Sequence, residues 1–296
     1  MNTKSAFVAI VGRPNVGKSS LLNAFVGEKV AIVSPKPQTT RTRITGILTQ
    51  AETQLVFIDT PGLHKPHTKL SEYMVRTIRE SVADVDVAVL VTEPTGEIRQ
   101  SERELMDNFK AKKIPALLAV NKIDTLEQKE LMMRKIAEFS AIFEFGQIVP
   151  ISVLRRDGVE ILLEQIKSYA VDGPHYFDDD AYTDQPERVI VAEIIREKLL
   201  NAMRDEIPHG TAVGIDSMKE RPNAGIIDIQ AVIYCEKDSH KGMIIGKHGA
   251  VLKKIGTQAR VELENFLDVK INLQCWVKVK EDWRNREGQL REFGFK

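Results

Sequence analysis

The chain has 296 residues, 43% of them hydrophobic, enough to bury a large core and, by length, to divide into about two domains. Its 42 Lys and Arg balance 42 Asp and Glu, so bulk charge points to no particular partner. The two cysteines, Cys235 and Cys275, lie far apart in apolar runs without metal-ligand spacing, and they read as reduced core thiols of a cytoplasmic protein. No segment reads as a signal peptide, and none has the apolar length to span a membrane.

The first strong pattern in chain order is the apolar run Phe7-Val8-Ala9-Ile10-Val11, which delivers the chain into Gly12-Arg13-Pro14-Asn15-Val16-Gly17-Lys18-Ser19. The octapeptide fits G-x-x-x-x-G-K-[ST] and sits between a buried strand and a helix that begins at Ser20. Backbone N–H groups of this turn, those of Val16, Gly17 and Ser20 included, face a common centre. The positive end of the helix adds to them, which makes a phosphate cradle. Lys18 is placed to reach the β- and γ-phosphates of a nucleotide, and Ser19 to ligate Mg²⁺.

Ser34-Pro35 opens a Pro-punctuated segment containing Gln38-Thr39-Thr40-Arg41, the right place for a loop that closes over the metal, with Thr40 as a second hydroxyl ligand. The run Leu55-Val56-Phe57-Ile58-Asp59-Thr60-Pro61-Gly62 reads as a strand ending in D-x-x-G. Asp59 stands behind the ion's own ligands, Thr60 follows it into the nucleotide site, and the Gly62 N–H is placed to feel the γ-phosphate. His64 and His67 flank Lys65-Pro66 and are read as solvated loop histidines in preference to catalytic ones. Helical patterns over 100–110, 128–143 and 158–169 alternate with strands, which predicts an α/β doubly wound, mostly parallel sheet.

The apolar run Ile114-Pro115-Ala116-Leu117-Leu118-Ala119-Val120 ends in Asn121-Lys122-Ile123-Asp124. The Asp124 carboxylate can accept from both N1–H and the exocyclic amine of guanine, while the Lys122 stem covers the ring. Adenine offers neither donor, and leaving a buried carboxylate unpaired costs about 1–3 kcal/mol or more, so the pocket is expected to take GTP and GDP. A last strand, 147–151, leads into Ser152-Val153-Leu154, whose backbone would touch the guanine carbonyl. These five elements in this order resemble the bacterial GTPases of ribosome assembly and tRNA modification, which share G-R-P-N-x-G-K-S. Leu63 stands where ordinary small GTPases carry the glutamine that orients water. The resemblance groups the chain with GTPases that have a hydrophobic residue there, some of which hold K⁺ with the P-loop asparagine. Asn15 would be that ligand, or it simply suits a tight, partly left-handed turn, and both readings stay open. Arg41 and Arg43 are expected to be solvated switch-loop charges rather than arginine fingers.

From 172 to 188 the text turns acidic and Pro-marked, without period, and is expected to be a loosely packed linker. Beyond it an amphipathic helix over 189–203 is followed by strand-like runs over 211–218 and 225–235. Then come Ile244-Ile245-Gly246-Lys247-His248-Gly249, a helix to about Phe266 and a strand over 269–280. G-x-x-G at Gly246, Lys247, His248 and Gly249 lets a sugar-phosphate chain approach the backbone between two helix ends. Lys247, Lys253 and Lys254 add charge, and an apolar groove lined by Ile244, Ile245 and Ile255 would receive about four unstacked bases. Between 237 and 296 there are thirteen Lys or Arg against eight Asp or Glu, a modest basic bias. Trp276 is expected in the core; Trp283 is open to packing or to stacking on bases.

The G-x-x-G core and its helix-strand-strand-helix-helix-strand order resemble a KH domain, and over its whole length the chain resembles the Era family. The resemblance implies a P-loop GTPase domain over 1–172, a linker over 173–187 and, over 188–296, a smaller α+β KH domain of the bacterial, type II kind with a C-terminal tail. It implies catalysis by Lys18, Thr40 and Gly62 with Asn15, and a task in small-subunit assembly through single-stranded ribosomal RNA near the 3′ end of 16S RNA on the pre-30S particle. Peripheral contact with the inner membrane and a monomeric state also come from the resemblance. RNA affinity is expected to be higher with GTP than with GDP. The rival readings are a constitutive RNA-binding protein with a mainly structural GTP pocket, and a tRNA-directed GTPase.

Overall fold

Residues 3–63, 67–203, 207–222 and 224–295 are described by the computed structural model. They form two units, one of Met1–Ala31, Thr40–Pro66 and Met74–Asp184, the other of Ile32–Thr39, His67–Tyr73 and Gln185–Lys296. His64 lies outside the described residues.

In chain order the first unit begins β1 (Lys4–Gly12), α1 (Lys18–Val26), β2 (Ile44–Gln50) and β3 (Thr53–Asp59). Helix α2 (Lys69–Ser81) follows, counted with this unit only from Met74 on, and then β4 (Val87–Thr92), α3 (Gln100–Lys112), β5 (Ala116–Val120) and α4 (Lys129–Ser140). It ends with β6 (Gln147–Pro150), α5 (Val159–Lys167) and the short β7 (Val171–Asp172). The sheet runs β2-β3-β1-β4-β5-β6, parallel except for β2 against β3, with β7 antiparallel to the start of β1. Its central strands are unbroken apolar runs because both faces are covered. Val8 and Ile10 of β1 pack with Leu21, Leu22 and Phe25 of α1 and Leu162 and Ile166 of α5, whereas Ala9 and Val11 pack with Met106 and Phe109 of α3 and Phe139 of α4.

The acidic segment after β7 is not loosely packed. Buried Gln54 accepts the N–H groups of Tyr176 and Phe177 at 2.7 and 3.0 Å and donates to the Phe177 carbonyl at 2.9 Å. Edge strand β2 gives its Ile47 N–H to Tyr182 and accepts the Thr183 hydroxyl at Thr45. The segment thus covers a sheet edge that would otherwise expose unpaired backbone, and the first unit extends to Asp184.

The second unit contains α6 (Glu187–Ala202), β8 (Ala212–Arg221), β9 (Ile226–Cys235), α7 (Asp238–Ile245), α8 (Ala250–Leu267), β10 (Lys270–Val279) and α9 (Glu287–Glu292). Its sheet is β10-β9-β8, with β10 parallel and β8 antiparallel to β9. Ile194, Ile195 and Leu199 of α6, Ile255, Ala259 and Leu263 of α8, and Ile229, Ala231 and Ile233 of β9 share one core. One expectation for tryptophan reverses, and one open question closes. Ile271, Leu273, Cys275 and Val277 of β10 face that core, so alternation turns Trp276 to the opposite side, where it is 44% exposed. Trp283 is fully buried, gives its indole N–H to the Gly210 carbonyl at 2.9 Å, and packs on Phe293 and Phe295. The tail after β10 is therefore a folded part of this unit.

Candidate nucleotide site and RNA groove

The phosphate loop is built from backbone that few side chains tolerate. Gly12, Asn15 and Gly17 have φ of 149°, 64° and 102°. A Cβ on Gly12 would collide with the Val91 carbonyl, and one on Gly17 with the Asn121 amide. Asn121 binds the loop from the other side, donating to the Val16 carbonyl at 2.8 Å while accepting the Val153 N–H at 3.1 Å. The exposed Asn15 occupies a left-handed position, the geometry its tight-turn reading requires. Lys18 is buried and donates to the Gly12 and Arg13 carbonyls at 3.2 and 3.0 Å. Desolvation pushes its ammonium down to about 8, opposed by the Asp59 carboxylate.

Asp59 ends β3 fully buried. Its Oδ2 accepts the Ser19 hydroxyl at 2.6 Å and the Thr40 hydroxyl at 3.2 Å, and those two hydroxyls are 2.8 Å apart. Burial pushes the carboxyl above its ordinary range, while Lys18 and the two hydroxyls pull it back. Its Oδ1 is buried with no hydrogen-bond partner among the described residues. Two hydroxyls converging on a carboxylate with an orphaned oxygen fit a hard divalent cation that takes its remaining ligands from phosphate and water. Among the described residues no group of three His, Cys, Asp or Glu could hold a metal alone.

Thr60 is buried with its hydroxyl on the Ile10 carbonyl, and Gly62 lies so close to Pro14 that a Cβ would stand 2.7 Å from the Pro14 Cα. The Leu63 N–H donates to the Gly12 carbonyl at 3.1 Å, and its side chain packs on the core face shared by Ala9 and Val11. Arg41 is buried, contrary to its expected place in solvent, whereas Arg43 is exposed. His67 is exposed, with its backbone N–H on the Ser71 hydroxyl.

At the base end, Lys122 has φ 68° and its ammonium pairs with Glu93. The half-buried Asp124 accepts the hydroxyl of buried Ser152, which fixes one carboxylate oxygen. Glu93 and the Ser152 side chain are functional neighbours that the motif pattern did not reveal. Both come from segments adjacent to the motifs only in space.

In the second unit α7 ends at Gly246, and Gly246, His248 and Gly249 have φ of 72°, 51° and 77°. Val251 crowds the place where a Gly246 Cβ would be. The groove beside this turn is a space of about 370 Å³ between α8 and β10. Lys253, Gly256, Thr257 and Arg260 line it along one face of α8, and Leu273 and Cys275 close it from β10. Ile244 and Ile255 are fully buried core residues and do not line it, Ile245 packs partly buried against the same core, and Lys254 lies outside it, so only Lys253 of the lysine pair faces it. Burial pushes the Cys275 thiol up to about 11, so it stays protonated at the groove wall.

The first unit is thus a P-loop GTPase with a guanine-reading pocket, and the second has the helix-turn-helix and three-stranded sheet of a KH domain. Family comparison agrees: residues 7–122 match the family described as 50S ribosome-binding GTPase, and residues 206–284 match the KH domain family. The chain is 49% identical over 296 residues to GTPase Era of Ruminiclostridium cellulolyticum, covering 100% of this chain and 99% of that one. It is 50% identical over 292 residues to GTPase Era of Clostridioides difficile, covering 99% and 98%. Two solved structures superpose with TM-score 0.95 at 38% identity over 99% of each chain. One is a single-site variant of Aquifex aeolicus Era bound to GDP and AlF₄⁻, the other an Era in complex with MgGDPNP and nucleotides 1506–1542 of 16S ribosomal RNA. The chain belongs to the Era family of GTPases.

Proposed function

We propose that this chain is a GTP-hydrolysing switch that binds small-subunit ribosomal RNA near its 3′ end through the α8/β10 groove and acts in assembly of the 30S subunit. The observation that carries this reading is the full-length similarity to the Era bound to MgGDPNP and nucleotides 1506–1542 of 16S ribosomal RNA.

The chain's own residues divide the work. Asn121, Lys122 and Asp124 bind guanine and reject adenine, and the backbone from Gly12 to Ser20 holds the phosphates. Ser19, Thr40 and Asp59 would hold Mg²⁺, which supplies positive charge to the β- and γ-phosphates when bound. Lys18 carries a second positive charge to the transferring group, and the Gly62 N–H senses the γ-phosphate. No glutamine orients the water, because Leu63 occupies that position and packs into the core. Intrinsic turnover is therefore slow. Asn15 supplies a K⁺ ligand in this reading, which K⁺-over-Na⁺ stimulation lost in Asn15→Ala would support and cation-independent turnover would remove.

RNA enters along Gly246–Gly249 and lies against Lys253 and Arg260. A switch must bind its RNA differently in its two states. Titration of the protein with RNA copied from the 3′ end of its own 16S RNA should give tighter binding with a non-hydrolysable GTP analogue than with GDP. A scrambled RNA should bind more weakly in both states. Equal affinities for both nucleotide states would remove the coupling between nucleotide and RNA.

A further inference from the structure

Glu102 is the third residue of α3, where a glutamate closes a capping box: its Oε2 accepts the Arg99 N–H at 2.9 Å. Capping uses one oxygen, which a glutamine would supply as well. The Glu102 carboxylate is nevertheless fully buried, and its Oε1 lies 3.2 Å from the Arg13 guanidinium and 3.5 Å from the Thr92 hydroxyl. A fully buried carboxylate is costly unless it is paired and hydrogen-bonded, and Arg13 is the opposite charge at ion-pair distance from this one, with buried Lys135 adding a longer-range attraction.

Arg13 is the second residue of the phosphate loop. Its carbonyl accepts Lys18 Nζ, and the next residue, Pro14, is the one against which Gly62 is pressed. Val16 and Gly17 are fixed by Asn121 on the guanine side. Gly12 to Pro14 are the half of the loop that meets Gly62 and Leu63, and Glu102 lies at ion-pair distance from the side chain of Arg13 in that half. We propose that Glu102 is a positioning residue for GTP hydrolysis: acting through Arg13, it fixes the first half of the phosphate loop so that Lys18 and Gly62 keep their places at the γ-phosphate. The inference rests on the GTPase reading of this pocket.

The test compares full-length Glu102→Gln, Arg13→Gln and the double variant for turnover, for the ratio of GTP-analogue to GDP affinity, and for melting temperature. Glu102→Gln keeps the cap and the volume and removes only the charge. Each single variant is expected to lower kcat about tenfold and to weaken the GTP analogue more than GDP. The double variant should lose no more than a single one, because both remove the same pairing. A lower melting temperature with wild-type kcat and an unchanged affinity ratio would reduce Glu102 to a helix cap and overturn the proposal, as would losses that multiply in the double variant. Should Glu102→Gln fail to fold, Arg13→Gln decides by the same readouts. Loss of turnover in Lys18→Ala, measured alongside, tests the GTPase reading itself, and the affinity ratio stands independently of it.

Discussion

Asp124 is the residue on which nucleotide choice turns. One of its oxygens is already engaged by Ser152, so the carboxylate is aimed before any base arrives. Asp124→Asn replaces an acceptor with an amide that also donates. Guanine then meets a donor at its amine, whereas xanthine, with a carbonyl in that position, meets a partner. The variant should lose GTP affinity by at least about 100-fold and gain xanthosine triphosphate binding, measured by competition titration. Unchanged preference for GTP would take base recognition away from Asp124. At this scale the sequence was most legible where the backbone does the chemistry, because Gly12, Gly17 and Gly246 occupy positions that a side chain would obstruct or strain. It was least legible for Ile244 and Ile255, whose apolar character suits a groove and a core equally. Helical phase decides, turning Gly256 and Arg260 to the groove and Ile255 and Ala259 inward.

The strands and helices carrying the motifs follow from local pattern, but their neighbours need more. Helix α2 carries no motif, although Leu70, Met74 and Ile78 are buried at intervals of four and Thr68 accepts the Ser71 N–H at 3.2 Å, an N-cap signal. Strand β2 is hard to read locally because its outer edge is completed by the segment near Tyr182, a partner remote in sequence. Trp283 found its place for a similarly non-local reason, its indole bonding to Gly210. The sheet of the second unit contains a testable element. Asp228 on β9 accepts Arg221 of β8 at 2.6 Å and Asn272 of β10 at 2.6 Å, joining all three strands. Arg221 first, then Asn272, holds its carboxyl down to about 2, below the usual carboxylate value. With a folded value below the unfolded one, the contribution is present above the unfolded pKa and is lost as pH falls from about 4 through about 2. In acid-unfolding titrations Asp228→Asn should flatten this part of the stability curve and leave the neutral region with a smaller, pH-independent loss. An unchanged acid limb would show that solvent screens the exposed cluster.

For the molecule as a whole, two sets of residues with different chemistry share one chain: a guanine nucleotide site ringed by Thr40, Asp59 and Gly62, and a Gly246–Gly249 turn opening onto the α8/β10 groove. Their order is readable from the sequence because each is anchored by a short backbone motif, while the acidic, Pro-marked text over 173–184 resembles a linker although buried Gln54 ties it down. No helix of the described residues is long and apolar enough to cross a membrane. The most direct test of the central claim is ultraviolet crosslinking in cells, followed by sequencing of the RNA attached to this protein. The account predicts reads concentrated near the 3′ end of 16S ribosomal RNA, reduced in Lys18→Ala cells. Reads concentrated on tRNA, or scattered without enrichment, would contradict it.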